Sequence, residues 1–370
     1  MPARFAVPNG HCRGEFDGVL LSTDLEPDDI IAIKILAPRL RGVRILAVVG
    51  QGPCDKTQMM SDILAAFGID NHAEVVQGRT STIEYPRHVL GAFAAAGASS
   101  SAVISEADAA ERTLAFLKGC SAPFALLLKP PMELIGIEPS VLCCVTAALY
   151  GSFNLESFRS ALGDREMSTE DRFASQEALM HSFRRLLWFE RSLSVGRDSV
   201  LDPKRAPELW DWLKCESDIV QVVHAWNAEV MRGFAPKVEG IMRDIAATTS
   251  TEPDFQKLQV VLEVADKKVA ITNSIAQCDG LQVCHADTLV AATLIDASGI
   301  LATYERRCRV GRTANMTKSA PVYEESDGST VCILAAEGEA RAKLETESIA
   351  VLVTSVTGGG GRGRKRTTRA

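Results

Sequence analysis

The stretch that decides the fold is Ser22–Ala32, S-T-D-L-E-P-D-D-I-I-A, which follows an apolar run at Gly18–Leu21 and precedes a helical pattern. The apolar run predicts a buried strand, so the acids of this stretch stand where a strand ends. These acids are Asp24, Glu26, Asp28 and Asp29. Like charges packed a few ångströms apart raise one another's pKa unless something neutralises them. A hard divalent cation such as Ca²⁺ or Mg²⁺ does so with oxygen ligands alone.

The same acids have a second interpretation. Asp28 and Asp29 would occupy the first turn of a helix that Pro27 begins, where the helix dipole favours negative charge. The placement favours a ligand site, because open α/β sheets bind ligands in the crevice at the carboxyl ends of parallel strands.

Length and composition predict a soluble α/β protein. The chain has 370 residues, of which 46% are apolar and 24% charged, enough for one large domain or two ordinary ones. It contains neither an apolar run of about 20 residues nor the apolar centre of a signal peptide, so we expect no membrane partner and a cytoplasmic location. The ten cysteines form no C-x-x-C pair and are expected to be buried thiols. The net charge of -7 argues against nucleic acid as a partner.

Strand and helix patterns alternate from Gly18 onward, which predicts a doubly wound, mainly parallel sheet with helices on both faces. The strands are predicted at 18–21, 43–49, 74–77, 124–128, 141–149 and 186–195. The helices are predicted at 28–40, 55–67, 107–118, from 132, at 166–185 and at 287–300, with amphipathic segments within 206–242. Residues 1–16 are expected to be a flexible leader, 17–356 a single domain, and 357–370 a disordered basic Gly/Arg tail. That tail is also a candidate nuclear signal or polyanion contact.

The opening string resembles the N-terminal signature of the nucleoside hydrolase family, D-x-D-P-G-x-D-D followed by an apolar helix. Asp24, Asp28 and Asp29 match the last three acids of that signature in order and spacing. Ser22 occupies the position of the family's first Asp, and Leu25-Glu26-Pro27 replaces its P-G-x. The resemblance implies a nucleoside hydrolase-like α/β fold.

Two further strings follow predicted strands. G-Q-G-P-C-D-K places Gln51 where the family has an Asn, in V-A-G-N-V-x-x-E-K, that holds sugar hydroxyls. An ordinary glycine-rich turn is the alternative there. L-L-L-K-P-P-M-E-L-I resembles the family's T-G-P-L-T-N-I-A, so the resemblance gives Leu128 the role of a backbone carbonyl ligand. Lys129 in place of the family's Gly would put a cation near the metal.

The late string C-H-A-D-T-L-V-A resembles the family's H-D-P-x-A-V-A, whose Asp completes the metal site. Asp287 falls on that Asp, although a helix N-cap would also explain it. Ala286 occupies the position of the family's His that acts on the leaving group, and His285 lies one residue before that position. In Y-G-S-F-N, Asn154 matches the Asn of the family's E-F-N string, although a plain loop Asn is equally compatible.

The resemblance implies hydrolysis of the N-glycosidic bond of ribonucleosides to ribose and free base, a reaction of purine and pyrimidine salvage. It assigns Ca²⁺ to Asp24, Asp29, Asp287 and the Leu128 carbonyl. Asp24 would be the catalytic general base. Asp28, Gln51 and Asn154 would bind the substrate. It also implies a nucleoside as the small-molecule partner and a homo-oligomer, dimer or tetramer.

Three questions stay open at the level of sequence. The proton donor to the leaving base is one of His285, His88 and His224, or an aromatic residue stacks on the base instead. Lys129 and Ala286 support a second function, a weak or inactive relative that works as a ligand-binding or scaffold protein. A Mg²⁺ phosphohydrolase is a third, but the sequence lacks a phosphate-binding glycine loop.

Overall fold

The computed structural model describes residues 3–51, 56–80, 106–130, 132–151, 163, 166–190, 199–216, 218–227, 280–311 and 322–358. Its strands are β1 (Phe5–Val7), β2 (Gly14–Phe16), β3 (Gly18–Thr23), β4 (Arg44–Gln51), β5 (Ala73–Thr80), β6 (Pro123–Leu127), β7 (Thr146–Tyr150), β8 (Arg185–Phe189), β9 (Val200–Leu201), β10 (Val283–Cys284), β11 (Glu305–Gly311), β12 (Val322–Glu325) and β13 (Val331–Leu334). Its α-helices are α1 (Pro27–Leu40), α2 (Lys56–Ala66), α3 (Glu106–Lys118), α4 (Pro139–Leu142), α5 (Thr169–Ser182), α6 (Pro207–Leu213), α7 (Asp287–Ile295) and α8 (Glu339–Gly358).

The described residues divide into two compact units, one formed by residues up to 199 together with those from 284 onward, the other by residues 200–283. The prediction of one domain over 17–356 stays a prediction. None of the helices in the described ranges combines the length and apolar composition that a membrane crossing requires.

The larger unit is built on a nine-stranded sheet in the order β12-β11-β13-β8-β7-β6-β3-β4-β5. The seven strands from β13 to β5 run parallel, and β11 and β12 add an antiparallel edge. β3, β6 and β7 are buried at every residue, as expected of strands covered on both faces. The predicted fold class is confirmed.

Helices cover both faces of this sheet. On one face, Leu20 and Leu127 belong to a buried cluster with Leu117 of α3 and Met180 of α5. Alternate strand residues point the other way, and on that side α1, α7 and α8 pack against one another, with α7 also against β7. The start of α1 therefore meets the start of α7, at the end of the sheet where β3 finishes.

The first sixteen residues differ from the flexible leader expected from the sequence. β1 and β2 pair antiparallel, with Phe5 opposite Phe16. The Phe5 side chain is fully buried, and its ring centroid lies 5.1 Å from that of Phe124 on β6. Burial of aromatic surface explains why this segment is ordered. Strands of three residues are too short to display a period in the sequence.

The predicted strand over 141–149 is wrong in its first half. Residues Pro139–Leu142 form the short helix α4, and the strand begins only at Thr146. Pro139 at the first helical position explains the turn, since its ring fixes a helical φ. The predicted helix from 132 is a single 3₁₀ turn, Met132–Leu134. The other described elements lie within a few residues of their predicted positions, although β8 ends at Phe189.

The smaller unit contains α6 and a helical segment at 218–227. It also contains β9, which pairs with β10 in a two-stranded sheet. Asn227 donates from Nδ2 to the carbonyl oxygens of Gly280 and Gln282, at 2.6 and 3.0 Å. The rest of the predicted amphipathic region, 228–242, lies outside the described residues, as does the tail from 359.

Candidate metal centre

Three buried carboxylates meet where α1 and α7 begin. Asp28 and Asp29 stand in the first turn of α1, and Asp287 is the first residue of α7. One oxygen from each lies within 4.8 Å of the others. The three residues are 6%, 1% and 4% exposed. The sequence predicted that acids remote in the chain would converge here, and the structure brings these three together.

A hydrogen-bonded turn between β3 and α1 positions Asp29. Thr23 donates from Oγ1 to Asp29 Oδ2 at 2.5 Å, and the backbone N–H of Asp24 donates to the same oxygen at 3.1 Å. The Leu25 N–H donates to Thr23 Oγ1 at 2.9 Å. Leu25 has φ of 59°, a left-handed conformation that is unfavourable for a residue with a Cβ. The Thr23 bonds hold the chain in that conformation.

The surroundings of Asp28 and Asp287 disfavour their ionised forms. Burial, then the charge of Asp29 and a hydrogen bond to it, raise the pKa of Asp287 well above its ordinary value. Burial, followed by the negative charges of Glu26 and Asp29, raises the pKa of Asp28 well above its ordinary value. Without a cation, the protonated forms of Asp28 and Asp287 are therefore favoured. Asp287 Oδ1 is buried and accepts no hydrogen bond from the described residues. An oxygen-only donor set with a vacant acceptor atom fits Ca²⁺ or Mg²⁺.

Asp24 lies beside this group rather than within it. Its Oδ2 atom is 3.6 Å from Lys129 Nζ, and its side chain is 17% exposed. Burial, then the charges of Asp29 and Glu26, raise the pKa of the Asp24 carboxyl to about 7, although Lys129 and Lys56 lower it. The metal role predicted for Asp24 stays a prediction.

Two lysines flank Asp24. Lys56, the first residue of α2, is 1% exposed and donates from Nζ to the Asp24 carbonyl at 2.6 Å. The Lys129 side chain lies over Gly50, where a Cβ would contact Nζ. The four aspartates and Glu26 outnumber these two lysines. The sequence predicted Lys129 near the metal, but no sequence pattern indicated Lys56.

The ends of β3 and β6 are tied together next to the acids. Leu128 donates its N–H to the Ser22 carbonyl at 3.0 Å, and Ser22 Oγ donates to the Lys129 carbonyl at 2.6 Å. Ser22, which replaces the family's first acid, is thus used as a structural hydrogen-bond donor. Leu128 is buried beside the end of β3, and its carbonyl ligand role stays a prediction.

The remaining predicted residues are placed only in part. His285 is fully buried and its Nδ1 and Nε2 lie 2.8 and 2.7 Å from Thr288 Oγ1 and Ser348 Oγ. It therefore links α7 to α8. His224 is exposed in the smaller unit. The side chain of Gln51, and residues Asn154 and His88, lie outside the described residues.

Two solved structures to which this chain is similar are nucleoside hydrolases by name, the family that the sequence motifs resemble. One is a plant nucleoside hydrolase, the PpNRh1 enzyme, at 14% identity and a TM-score of 0.49, with 92% of this chain and 99% of that chain covered. The other is the inosine-uridine preferring nucleoside hydrolase from Bacillus anthracis, at 13% identity and a TM-score of 0.35, with 91% and 99% covered. No protein-family model and no curated protein sequence matches this chain. At these identities and scores, the chemistry must be argued from the site's own residues.

Proposed function

We propose that this protein hydrolyses the N-glycosidic bond of ribonucleosides with the help of a bound Ca²⁺ ion, releasing ribose and the free base. The observation that carries the proposal is the convergence of Asp28, Asp29 and Asp287 at the carboxyl end of a parallel sheet. Buried acids at this density are unfavourable for folding alone, so their presence together points to a ligand.

Asp29 and Asp287 would hold the cation, with Asp24 and the Leu128 carbonyl as the further ligands that the sequence suggests. When bound, the cation would supply positive charge that orients the ribose hydroxyls and lowers the pKa of a water molecule. Asp28 would accept a hydrogen bond from a ribose hydroxyl, and this bond would strengthen as the sugar gains positive charge.

Asp24 would take the proton from the attacking water. Ca²⁺ bound at Asp24 would favour its ionised form, in which a carboxylate can accept a proton. Lys129 and Lys56 would keep its ionised form oriented, one at the carboxylate and the other at its backbone carbonyl. No described His stands at the three acids, so we expect bases that leave without protonation to be preferred.

The test is release of ribose from purified protein. The protein would be incubated with purine and pyrimidine ribonucleosides and with p-nitrophenyl riboside, whose leaving group needs no proton. Reducing sugar would be assayed with CaCl₂ and with a chelator. We expect release that the chelator abolishes and that Asp287→Asn lowers by more than about 100-fold. Equal release with and without chelator would overturn the proposal.

The second candidate is a cation-dependent binding protein without hydrolytic activity. The observation that favours it is the ion pair between Lys129 and Asp24, which engages the proposed base with a fixed cation. Calorimetric binding of Ca²⁺ and ribose with no sugar release from any substrate, p-nitrophenyl riboside included, would select this function.

A further inference from the structure

A cleft of about 670 Å³ lies in the larger unit, and positively charged side chains line it. Arg13 reaches it from the turn between β1 and β2, Arg184 and Arg185 from the start of β8, and Arg307 from β11. His11 also lines the cleft. No Asp or Glu side chain is among its described lining residues. The chain as a whole carries a net charge of -7, so this concentration of arginine is local.

Hydrogen bonds to backbone carbonyls hold three of these side chains. Arg185 donates from Nη1 to the Arg13 carbonyl at 2.9 Å, and Arg307 donates from Nη1 to the Asp327 carbonyl at 3.1 Å. His11 Nε2 lies 2.7 Å from the Thr330 carbonyl. A guanidinium has five N–H donors, so each of the two fixed arginines keeps donors for a ligand. Fixed guanidinium groups lose little conformational entropy when they bind an anion.

The positive charge of the cleft is not balanced by acids. Within the described part of the chain, none of the four guanidinium groups forms an ion pair with a carboxylate. Glu305 lies behind the cleft, against Gly10, and accepts the His11 backbone N–H at 2.7 Å. Burial raises the pKa of Glu305 to about 7, which reduces its charge at neutral pH. A solvated arginine face would be expected to include carboxylates, and this cleft does not.

The cleft and the three acids lie at opposite ends of the strands of the sheet. Arg185 begins β8 and Thr330 directly precedes β13, whereas Asp24 follows the last residue of β3. Because β3, β8 and β13 run parallel, the cleft lies at the amino ends of these strands and the acids at the carboxyl ends. A strand length of about 15–20 Å separates them. A ligand in the cleft would therefore not touch the candidate metal centre.

We propose that this cleft binds a small molecule that carries two or more phosphate groups. The planar fork of each arginine matches two phosphate oxygens, and four such groups suit more than one phosphate. The volume falls within the range of small-molecule sites. This site is independent of the proposed hydrolytic function.

The test is isothermal titration of the full chain with inorganic triphosphate, without divalent cations. We expect saturable binding that weakens as KCl is raised, because the attraction is electrostatic. Arg307→Gln and Arg184→Gln should each weaken binding by about tenfold or more. Arg306→Gln is the matched control, since Arg306 is exposed on the same strand and bonds instead to the Thr303 and Glu305 carbonyls. Its affinity should equal that of the unmodified protein.

Circular dichroism and thermal melting of each variant would establish that it folds. An absence of saturable binding by the folded, unmodified protein would overturn the proposal, as would equal losses in Arg307→Gln and Arg306→Gln. A single-stranded oligonucleotide that binds far more tightly than triphosphate, with the same dependence on Arg307, would overturn the assignment to a small molecule.

Discussion

Asp287 is the residue on which the candidate metal centre depends most, because it alone comes from the late part of the chain. Its carboxyl group is buried against Asp29 and Asp28, and these neighbours and burial raise its pKa. In the cation-free protein Asp287 therefore favours its protonated form. A cation in the centre would remove the need for that proton.

Asp287→Asn should abolish cation binding without unfolding the protein. The Asn amide can donate to Asp29 as the protonated acid does, so we expect a melting temperature in chelator no lower than that of the unmodified protein. The rise in melting temperature on adding CaCl₂ should disappear, because a charged ligand is lost. Differential scanning fluorimetry measures both. The exposed Asp211→Asn is the control, and an unchanged CaCl₂ effect in Asp287→Asn would contradict the site.

Lys129→Met should raise the affinity for Ca²⁺. The Lys129 ammonium lies 3.6 Å from Asp24 Oδ2, and a divalent cation nearby is repelled by it. Methionine keeps a long, flexible side chain over Gly50 without the charge. We expect about a tenfold lower Kd in calorimetry, corresponding to about 1.4 kcal/mol. Lys343→Met, at an exposed position on α8, is the control. Weaker Ca²⁺ binding in Lys129→Met would show that the lysine supports the site instead.

Asp28 and Asp29 were predictable from sequence because a string of acids follows a strand there, and Asp287, a single acid, was predicted from its resemblance to a family motif. Asp28, Asp29 and Asp287 each begin an apolar helix, a pattern that is visible in one dimension. Lys56 gives no such signal, because a lysine at the start of a helix is usually solvated. Its burial depends on α2 and the β3–α1 turn meeting in space, which local sequence does not report.

At the scale of elements, the β1–β2 hairpin extends the core of the larger unit beyond the predicted strands. Its Phe5 and Phe16 rings pack on Phe124, with centroids 5.1 and 4.9 Å from that ring. These contacts cover the end of β6 opposite the acids. The N-terminal segment therefore supports one of the strands that carry the site.

Phe5→Ala should destabilise the protein by about 3–5 kcal/mol, because it removes a fully buried ring and leaves a cavity. Urea unfolding measures the change in free energy. Arg4→Ala, next to it and exposed, should change the free energy of unfolding by no more than about 0.5 kcal/mol. A Phe5→Ala value as small as that of the control would restore the interpretation of a flexible leader.

Elements with a long buried run were predicted well, and short ones were not. β3, β4 and β6 each contain a long apolar run, and β3 and β4 precede the helices α1 and α2. The run at 141–149 is equally apolar, but its first residues form a helix, since apolar runs alone do not distinguish a buried helix from a buried strand. Pro139 at the first helical position and the packing of α4 against α5 favour the helix.

For the molecule as a whole, the parallel order of the sheet followed from the alternation of strand and helix. The antiparallel edge of β11 and β12 did not, because strand direction depends on long-range pairing. That edge also brings Glu305 into a partly buried position behind the arginine cleft. Its burial couples the stability of the whole unit to pH.

Glu305→Gln should change the pH dependence of stability. Burial raises the folded-state pKa of Glu305 from 4.5 to about 7, so the protonated form favours folding. This contribution is fully present below the unfolded pKa and is lost as pH rises through about 7. The unmodified protein should therefore lose about 2–3 kcal/mol relative to Glu305→Gln between pH 4.5 and pH 8. Urea unfolding at both pH values measures it, and parallel pH curves would contradict it.

The contact between Asp29 and Asp287 joins α1 to α7, which in turn packs against the later helix α8. An ion bound by both carboxylates would link the two helices, and its removal would let α7 and α8 unfold locally before the strands separate. Trypsin should then cut α8 at Arg341 and Lys343 sooner when a chelator is present, with little change at sites in the sheet. The rate of tryptic cleavage in α8 would thus show whether the ion is bound.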